Sequence, residues 1–234
     1  MSVASSAPVL DLAAVRPRVG ADEAPALEID LRLMAGELAL VDSRHSARPT
    51  WLADLCCGLV PLAAGTARFL DRDWSAVPPD YADALRGRIG RVFFSGSWIG
   101  FMDVSANILL PQLHHTRDDP SELRDRATAL CCAFGLPGLP LVRPGELAAS
   151  DLARAACVRA FLGDPALVLL ESPVQGRFTN LLPPLLNALA AARDRGAAAV
   201  WFTRSDLVWR DPSIPATLRL RLGQRGLVPT IRAP

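Results

Sequence analysis

The chain has 234 residues, about one and a half times a typical domain, which fits one large domain or two closely joined ones. Half of the residues are hydrophobic and 21% are charged, so a real core is available and a disordered chain is excluded. Lysine and arginine total 25 against 24 acids, a net charge of +1. That balance leaves no electrostatic footprint for nucleic acid or for an anionic membrane surface. All 25 basic residues are arginine. A catalytic lysine, a Schiff base and a phosphate-cradling lysine are therefore excluded.

Five cysteines form two adjacent pairs, Cys56-Cys57 and Cys131-Cys132, with Cys157 apart. Neighbouring cysteines rarely bridge each other and no zinc spacing is present, so buried reduced thiols are expected. His45, His114 and His115 offer no metal-ligand spacing; the last two sit in a polar stretch and are expected to be solvated. Met1 to Pro8 lacks the basic start and apolar run of a signal peptide. The longest apolar candidate, Leu55 to Gly65, contains Pro61 and falls well short of the roughly 18 residues that a membrane helix needs.

In chain order, Ala26 to Leu33 alternates as a half-buried strand does, with Leu27, Ile29 and Leu31 against Glu28, Asp30 and Arg32. A turn at Gly36-Glu37 leads into the fully apolar strand Leu38 to Val41. After the polar stretch Asp42 to Arg48, Pro49 suits the first turn of a helix with Trp51, Leu52, Leu55 and Leu59 on one face. Arg88 to Phe94 reads as a further strand. Ser95 to Arg159 shows helical patterns broken by Pro and Gly, without a strand. Ala166 to Leu170 and Ala197 to Thr203 read as buried parallel strands flanking a helix at Leu182 to Arg193, and Thr217 to Leu227 as a terminal hairpin about Gly223-Gln224. The fold class is α/β, a mostly parallel sheet interrupted by a helical insertion.

The order and spacing of Gly36-Glu37, Gly58-Leu59, Gly65, Arg88 to Phe93, Asn107 to Pro111, Phe134 to Leu136, Arg154 and Arg159 to Pro165 resemble the nucleotide-binding subunit of ABC transporters over nearly the whole chain. The resemblance implies a RecA-like P-loop NTPase core with an N-terminal antiparallel β part, formed by residues 1–94 and 160–234, and an α-helical subdomain inserted at 95–159.

The positions that carry that family's chemistry are substituted. Its phosphate loop, G-x-x-x-x-G-K-[ST], aligns with Asp42-Ser43-Arg44-His45-Ser46-Ala47-Arg48-Pro49. Asp42 and Ala47 stand for the glycines, Arg48 for the lysine and Pro49 for the magnesium-binding hydroxyl, with Thr50 as a displaced hydroxyl. A Cβ crowds a tightly curled loop, Asp42 repels phosphate, and Pro49 removes an amide donor at the helix start. Arginine keeps the lysine's charge in a bulkier, forked form. The strand-end Asp-Glu becomes Glu171-Ser172, leaving Glu171 as the candidate metal ligand and Ser172 unable to act as a base. Arg204 stands at the switch histidine and Phe94 at the Q-loop glutamine. The signature segment is Leu147-Ala148-Ala149-Ser150-Asp151, and the later Gly-Leu-Asp loop is Gly176-Arg177-Phe178.

Framework residues remain while the positions facing phosphate, metal or water differ. The resemblance thus implies an ABC-type subunit with weak or no ATP hydrolysis and a structural or regulatory role; the alternative is an atypical but active ATPase. ATP and magnesium are the implied cofactors, and the substitutions count against both. The implied partners are a membrane permease, met by Phe94, Trp98 and Phe101, and a second ATP-binding subunit in a homo- or heterodimer. The implied location is cytoplasmic, at the inner face of the plasma membrane.

Overall fold

The computed structural model describes residues 7–18, 27–44, 49–174 and 179–230. Among these residues, ten strands and seven α-helices follow in the order β1 Leu10–Pro17, β2 Ile29–Leu33, β3 Leu38–Asp42, α1 Pro49–Cys56, β4 Leu62–Phe69, β5 Arg72–Asp73, α2 Pro79–Arg86, β6 Ile89–Val92, α3 Val104–His115, α4 Pro120–Ala133, α5 Ala149–Phe161, β7 Leu167–Glu171, α6 Leu182–Asp194, β8 Ala198–Thr203, α7 Asp206–Arg210, β9 Leu218–Leu222 and β10 Leu227–Pro229. They build an antiparallel sheet, β2-β1-β4-β5, and a six-stranded sheet, β10-β9-β3-β8-β7-β6. In the larger sheet β9, β3, β8, β7 and β6 run parallel, and only β10 is antiparallel.

The apolar runs of β3, β7 and β8 are continuous because both faces of the parallel sheet are covered. Ala39, Val41, Leu167, Leu169, Val200 and Phe202 face the antiparallel sheet and α1. Leu38, Leu40, Val168, Leu170, Ala199 and Trp201 face α3 to α6. The helices α3, α4 and α5 lie in sequence between β6 and β7, which are neighbours in the sheet. Among the described residues no helix is long and apolar enough to cross a membrane.

Three sequence expectations are corrected. Helix α1 ends at Cys56, and Gly58 at φ +65° turns the chain away. Leu59 therefore leaves the apolar face and is 55% exposed. Cys132 is exposed, whereas Cys56, Cys57, Cys131 and Cys157 are buried and free as expected. His114 and His115 form the last turn of α3; His114 is exposed as expected, whereas His115 is half-buried. Strands β1 and β4 and helix α2 had no counterpart in the pattern reading.

Candidate functional site

In an open parallel sheet, ligands bind at the carboxyl ends of the strands, where successive loops diverge. Here that rim brings together Asp42, Ser43 and Arg44 at the end of β3, Thr203, Arg204 and Ser205 at the end of β8, Glu171 and Ser172 at the end of β7, Phe93 and Phe94 after β6, and Pro49 and Thr50 at the start of α1. His45, Ser46, Ala47 and Arg48 lie outside the described residues, as do Gly176, Arg177 and Phe178.

Asp42 is buried at the strand end. Arg44 donates to it from the backbone N at 3.1 Å, from Nε at 3.0 Å and from Nη2 at 2.7 Å. The remaining arm of Arg44 pairs with Asp206 of α7, and Arg221 of β9 lies 3.4 Å from Asp42. Ser43 closes the rim by donating its backbone N, at 2.9 Å, and its hydroxyl, at 3.1 Å, to the Thr203 carbonyl. Where the resemblance expects a glycine facing phosphate, the chain thus places a buried carboxylate already satisfied by its own arginine.

Burial alone would raise the Asp42 carboxyl; the Arg44 hydrogen bonds and the Arg44 and Arg221 charges overcome it and hold the group below its ordinary 3.8. A carboxylate depressed in the folded state adds stability above its unfolded value and loses it as pH falls through the folded one. Asp42→Asn is therefore expected to cost about 1–3 kcal/mol near neutral pH. It should also remove part of the stability lost between pH 4 and more acidic solution, as read from denaturant midpoints against pH.

The second cluster joins β6, β7 and α1. Arg91 is buried although it sits in an edge strand. Its Nε donates to Glu171 Oε1 at 2.7 Å, its Nη1 to Asp54 Oδ1 at 2.6 Å and its Nη2 to the Thr50 carbonyl at 3.3 Å. The other Glu171 oxygen accepts the Thr50 hydroxyl at 2.5 Å. Both oxygens of the candidate metal ligand are thus engaged: a cation at Oε1 would have to displace the guanidinium, and one at Oε2 the Thr50 hydroxyl hydrogen bond. The Arg91 ion pair leaves no uncompensated charge on Glu171 for magnesium to neutralise. The sequence places Arg91 only within the strand segment Arg88 to Phe94 and gives Asp54 no role, because the acidic partners of Arg91 come from other elements.

Ser172 follows at φ +50°, its backbone N donating to the Phe202 carbonyl at 2.9 Å. Arg204 lies with its guanidinium 5.1 Å from the Phe94 ring centre, so the residues that the resemblance sets at the switch and Q-loop positions meet across the rim. In the signature segment, Leu147 and Ala148 precede α5, Ala149 and Ser150 begin it, and Asp151 pairs with Arg154 at 2.8 Å. Ala148 stands at the N-cap without a capping side chain. A cleft of about 710 Å³ connects Ala149 with Phe94, Trp98, Glu171 and Ser172. A smaller recess of about 300 Å³ is lined by Arg91 with Asp54, Arg86, His115 and Arg159. Phe101 is 81% exposed and Phe94 is exposed, while Trp98 packs partly buried against the helical core with Arg159 over its ring.

No family model matches the chain. It is 31% identical over 183 residues to the nickel import ATP-binding protein NikE of Pseudomonas putida, covering 76% of this chain and 67% of that protein. It is 29% identical over 194 residues to the lipoprotein-releasing system ATP-binding protein LolD of Chromohalobacter salexigens, covering 82% and 78%. Its fold matches that of MJ0796, a bacterial ABC transporter cassette solved as a dimer, with a TM-score of 0.80 at 19% identity over 93% of this chain and 96% of that one. The fold is accordingly a RecA-like core with its antiparallel β part and inserted helices. By its sequence relatives, the chain belongs to the family of ABC transporter ATP-binding subunits.

Proposed function

We propose that the chain is an ABC transporter ATP-binding-type subunit with an altered nucleotide site, hydrolysing ATP weakly or not at all and acting as a structural or regulatory component of its transporter. The observation that carries this reading is the state of Glu171, held between Arg91 and Thr50. Hydrolysis in this class relies on a metal that bridges the phosphates and on a group that orients the attacking water. Here the strand-end acid is neutralised by a buried guanidinium, the next residue is Ser172, and the switch position is Arg204. Serine cannot take up a proton at neutral pH, and arginine cannot release one.

The remaining parts of the reading rest on the family. Residues 1–94 and 160–234 would form the nucleotide-type core and 95–159 the helical subdomain. Phe94, Trp98 and Phe101 would meet a membrane permease on the cytoplasmic face, with Phe101 as the most exposed anchor. A second ATP-binding subunit, this chain or another, would complete the dimer. Because the phosphate-loop and signature segments of this chain are both altered, pairing with an intact partner would leave both composite sites incomplete.

One observation favours the alternative, an atypical active ATPase. The Thr50 hydroxyl stands 2.5 Å from Glu171, so a hydroxyl does lie beside the strand-end acid although Pro49 cannot supply it. Calorimetric titration with ATP, with and without magnesium, separates the two. Our reading expects no magnesium-dependent gain in affinity and no phosphate release, from the wild type or from Arg48→Lys. Micromolar binding that tightens with magnesium would reopen the active-ATPase alternative, and measurable turnover by Arg48→Lys above the wild type would overturn the reading of a degenerate site.

A further inference from the structure

The oxygens gathered at the end of β7 are of the kind a hard divalent cation collects: two carboxylates, a hydroxyl and a backbone carbonyl. Three of the four point at Arg91. Its guanidinium has Glu171 Oε1 at 2.7 Å, Asp54 Oδ1 at 2.6 Å and the Thr50 carbonyl at 3.3 Å, and the Thr50 hydroxyl completes the set on Glu171 Oε2 at 2.5 Å. The Phe93 ring covers its face at 4.4 Å. We propose that Arg91 is a built-in counter-cation that takes the place of a divalent metal at Glu171, tying the start of α1 to the ends of β6 and β7 so that the crevice assembles without magnesium.

The chemistry suits the role. Arginine carries five donors in a rigid planar fork, cannot be deprotonated in this setting, and can bridge two carboxylates that would otherwise repel each other. Arg91 is 7% exposed in its side chain and Glu171 1%. A buried carboxylate of this kind persists only when paired. Burial works against the charged Arg91, and its hydrogen bond to Asp54 and the charge of Glu171 outweigh it, leaving the guanidinium more basic than usual. Arg91 comes from the sheet's edge strand, Asp54 and Thr50 from α1, and Glu171 from the neighbouring strand. One side chain therefore joins three elements that a metal would otherwise hold together.

The inference rests on reading the crevice as an altered nucleotide site. Its test uses metal ions alone, so failure of ATP to bind leaves the outcome unaffected. Thermal melts of the full chain are recorded at matched ionic strength, without metal and with millimolar Mg²⁺ or Mn²⁺. The wild-type midpoint should not move. Arg91→Met should melt about 10 °C lower, since one uncompensated buried carboxylate costs that much in a chain of this size. Mn²⁺ should recover at least half of the loss. Adding Glu171→Gln should raise the midpoint of Arg91→Met without metal and abolish its response to Mn²⁺. If Arg91→Met does not fold without metal, Arg91→Gln, which keeps a hydrogen-bonding amide, is carried through the same series. Stabilisation of the wild type by Mg²⁺, or indifference of the neutral Arg91 variants to Mn²⁺, would overturn the proposal and leave an ordinary buried ion pair.

Discussion

Gly90→Ala is expected to destabilise the protein by about 3 kcal/mol, lowering the melting midpoint by about 6–12 °C for a chain of this size. A Cβ at Gly90 would lie 1.9 Å from the Ala160 carbonyl oxygen, 2.9 Å from its carbon and 3.1 Å from Cγ of Pro165. The main obstacle is the Ala160 backbone, with the rigid Pro165 ring beside it. Gly90 is held in register with Val168 of β7, and Ala160 is buried within α5. Neither can yield without parting β6 from its neighbours or lifting the helix, so the strain is not absorbed by a rotamer change. The site would respond as well as the core, because Arg91 is the next residue and α5 starts at Ala149 on the cleft shared with Glu171. Gly145→Ala is the control: nothing lies within 4 Å of its added methyl, and a change within about 0.5 kcal/mol is expected. Urea midpoints of the two variants decide the matter. A Gly90→Ala loss below about 1 kcal/mol would show that α5 is not seated on β6 at this distance.

The parts of the fold that pattern reading reached are those where one local rule operates. Leu38 to Val41, Ala166 to Leu170 and Ala198 to Phe202 are apolar at successive positions because helices cover one face of the sheet and a second sheet the other. Pro49 and the polar residues before it mark the start of α1, and Gly223 marks the last hairpin, since turn and cap chemistry is local too. Strand β1 escaped because its alternation breaks at a register shift after Leu12, where Ala14 adopts φ +47°. Strand β4 is rich in small residues, with most of its first half exposed, so no apolar face announces it. Helix α2 buries only Ala82 and Leu85, too few for a visible stripe.

The candidate site was legible as a set of substitutions and illegible as an arrangement. That Glu171 ends a buried strand follows from the run before it. That it faces Arg91 depends on β6 and β7 being adjacent across 80 positions of sequence, and on a charged residue being buried in an edge strand, against its usual preference. The contact between Phe94 and Arg204 is of the same kind. Each residue reads singly as the loss of a family feature, and only the folded rim brings the two together. Substituted sites of this sort are where local rules are broken and compensated at a distance.

Trp201→Ala is expected to cost about 4 kcal/mol, within the range for deleting a fully buried large aromatic. Trp201 is 0% exposed at the centre of the parallel sheet, opposite Leu40 of β3 and Leu170 of β7 and facing the helical side. Removing the indole opens a cavity in the buried cluster above a strand that is hydrogen-bonded on both flanks, so little collapse can offset the loss. The effect reaches the rim, because two residues later the Thr203 carbonyl accepts both Ser43 bonds. Trp201→Phe, keeping a ring, should lose about half as much. A spectroscopic measure accompanies the thermal one: of the five tryptophans, Trp51, Trp74, Trp98 and Trp209 are all partly exposed. Trp201→Phe should therefore remove the most blue-shifted part of the native emission. A loss below about 2 kcal/mol for Trp201→Ala, with that emission unchanged, would place the indole outside the core and remove the basis for reading β8 as the central strand that sets the spacing between Asp42 and Glu171.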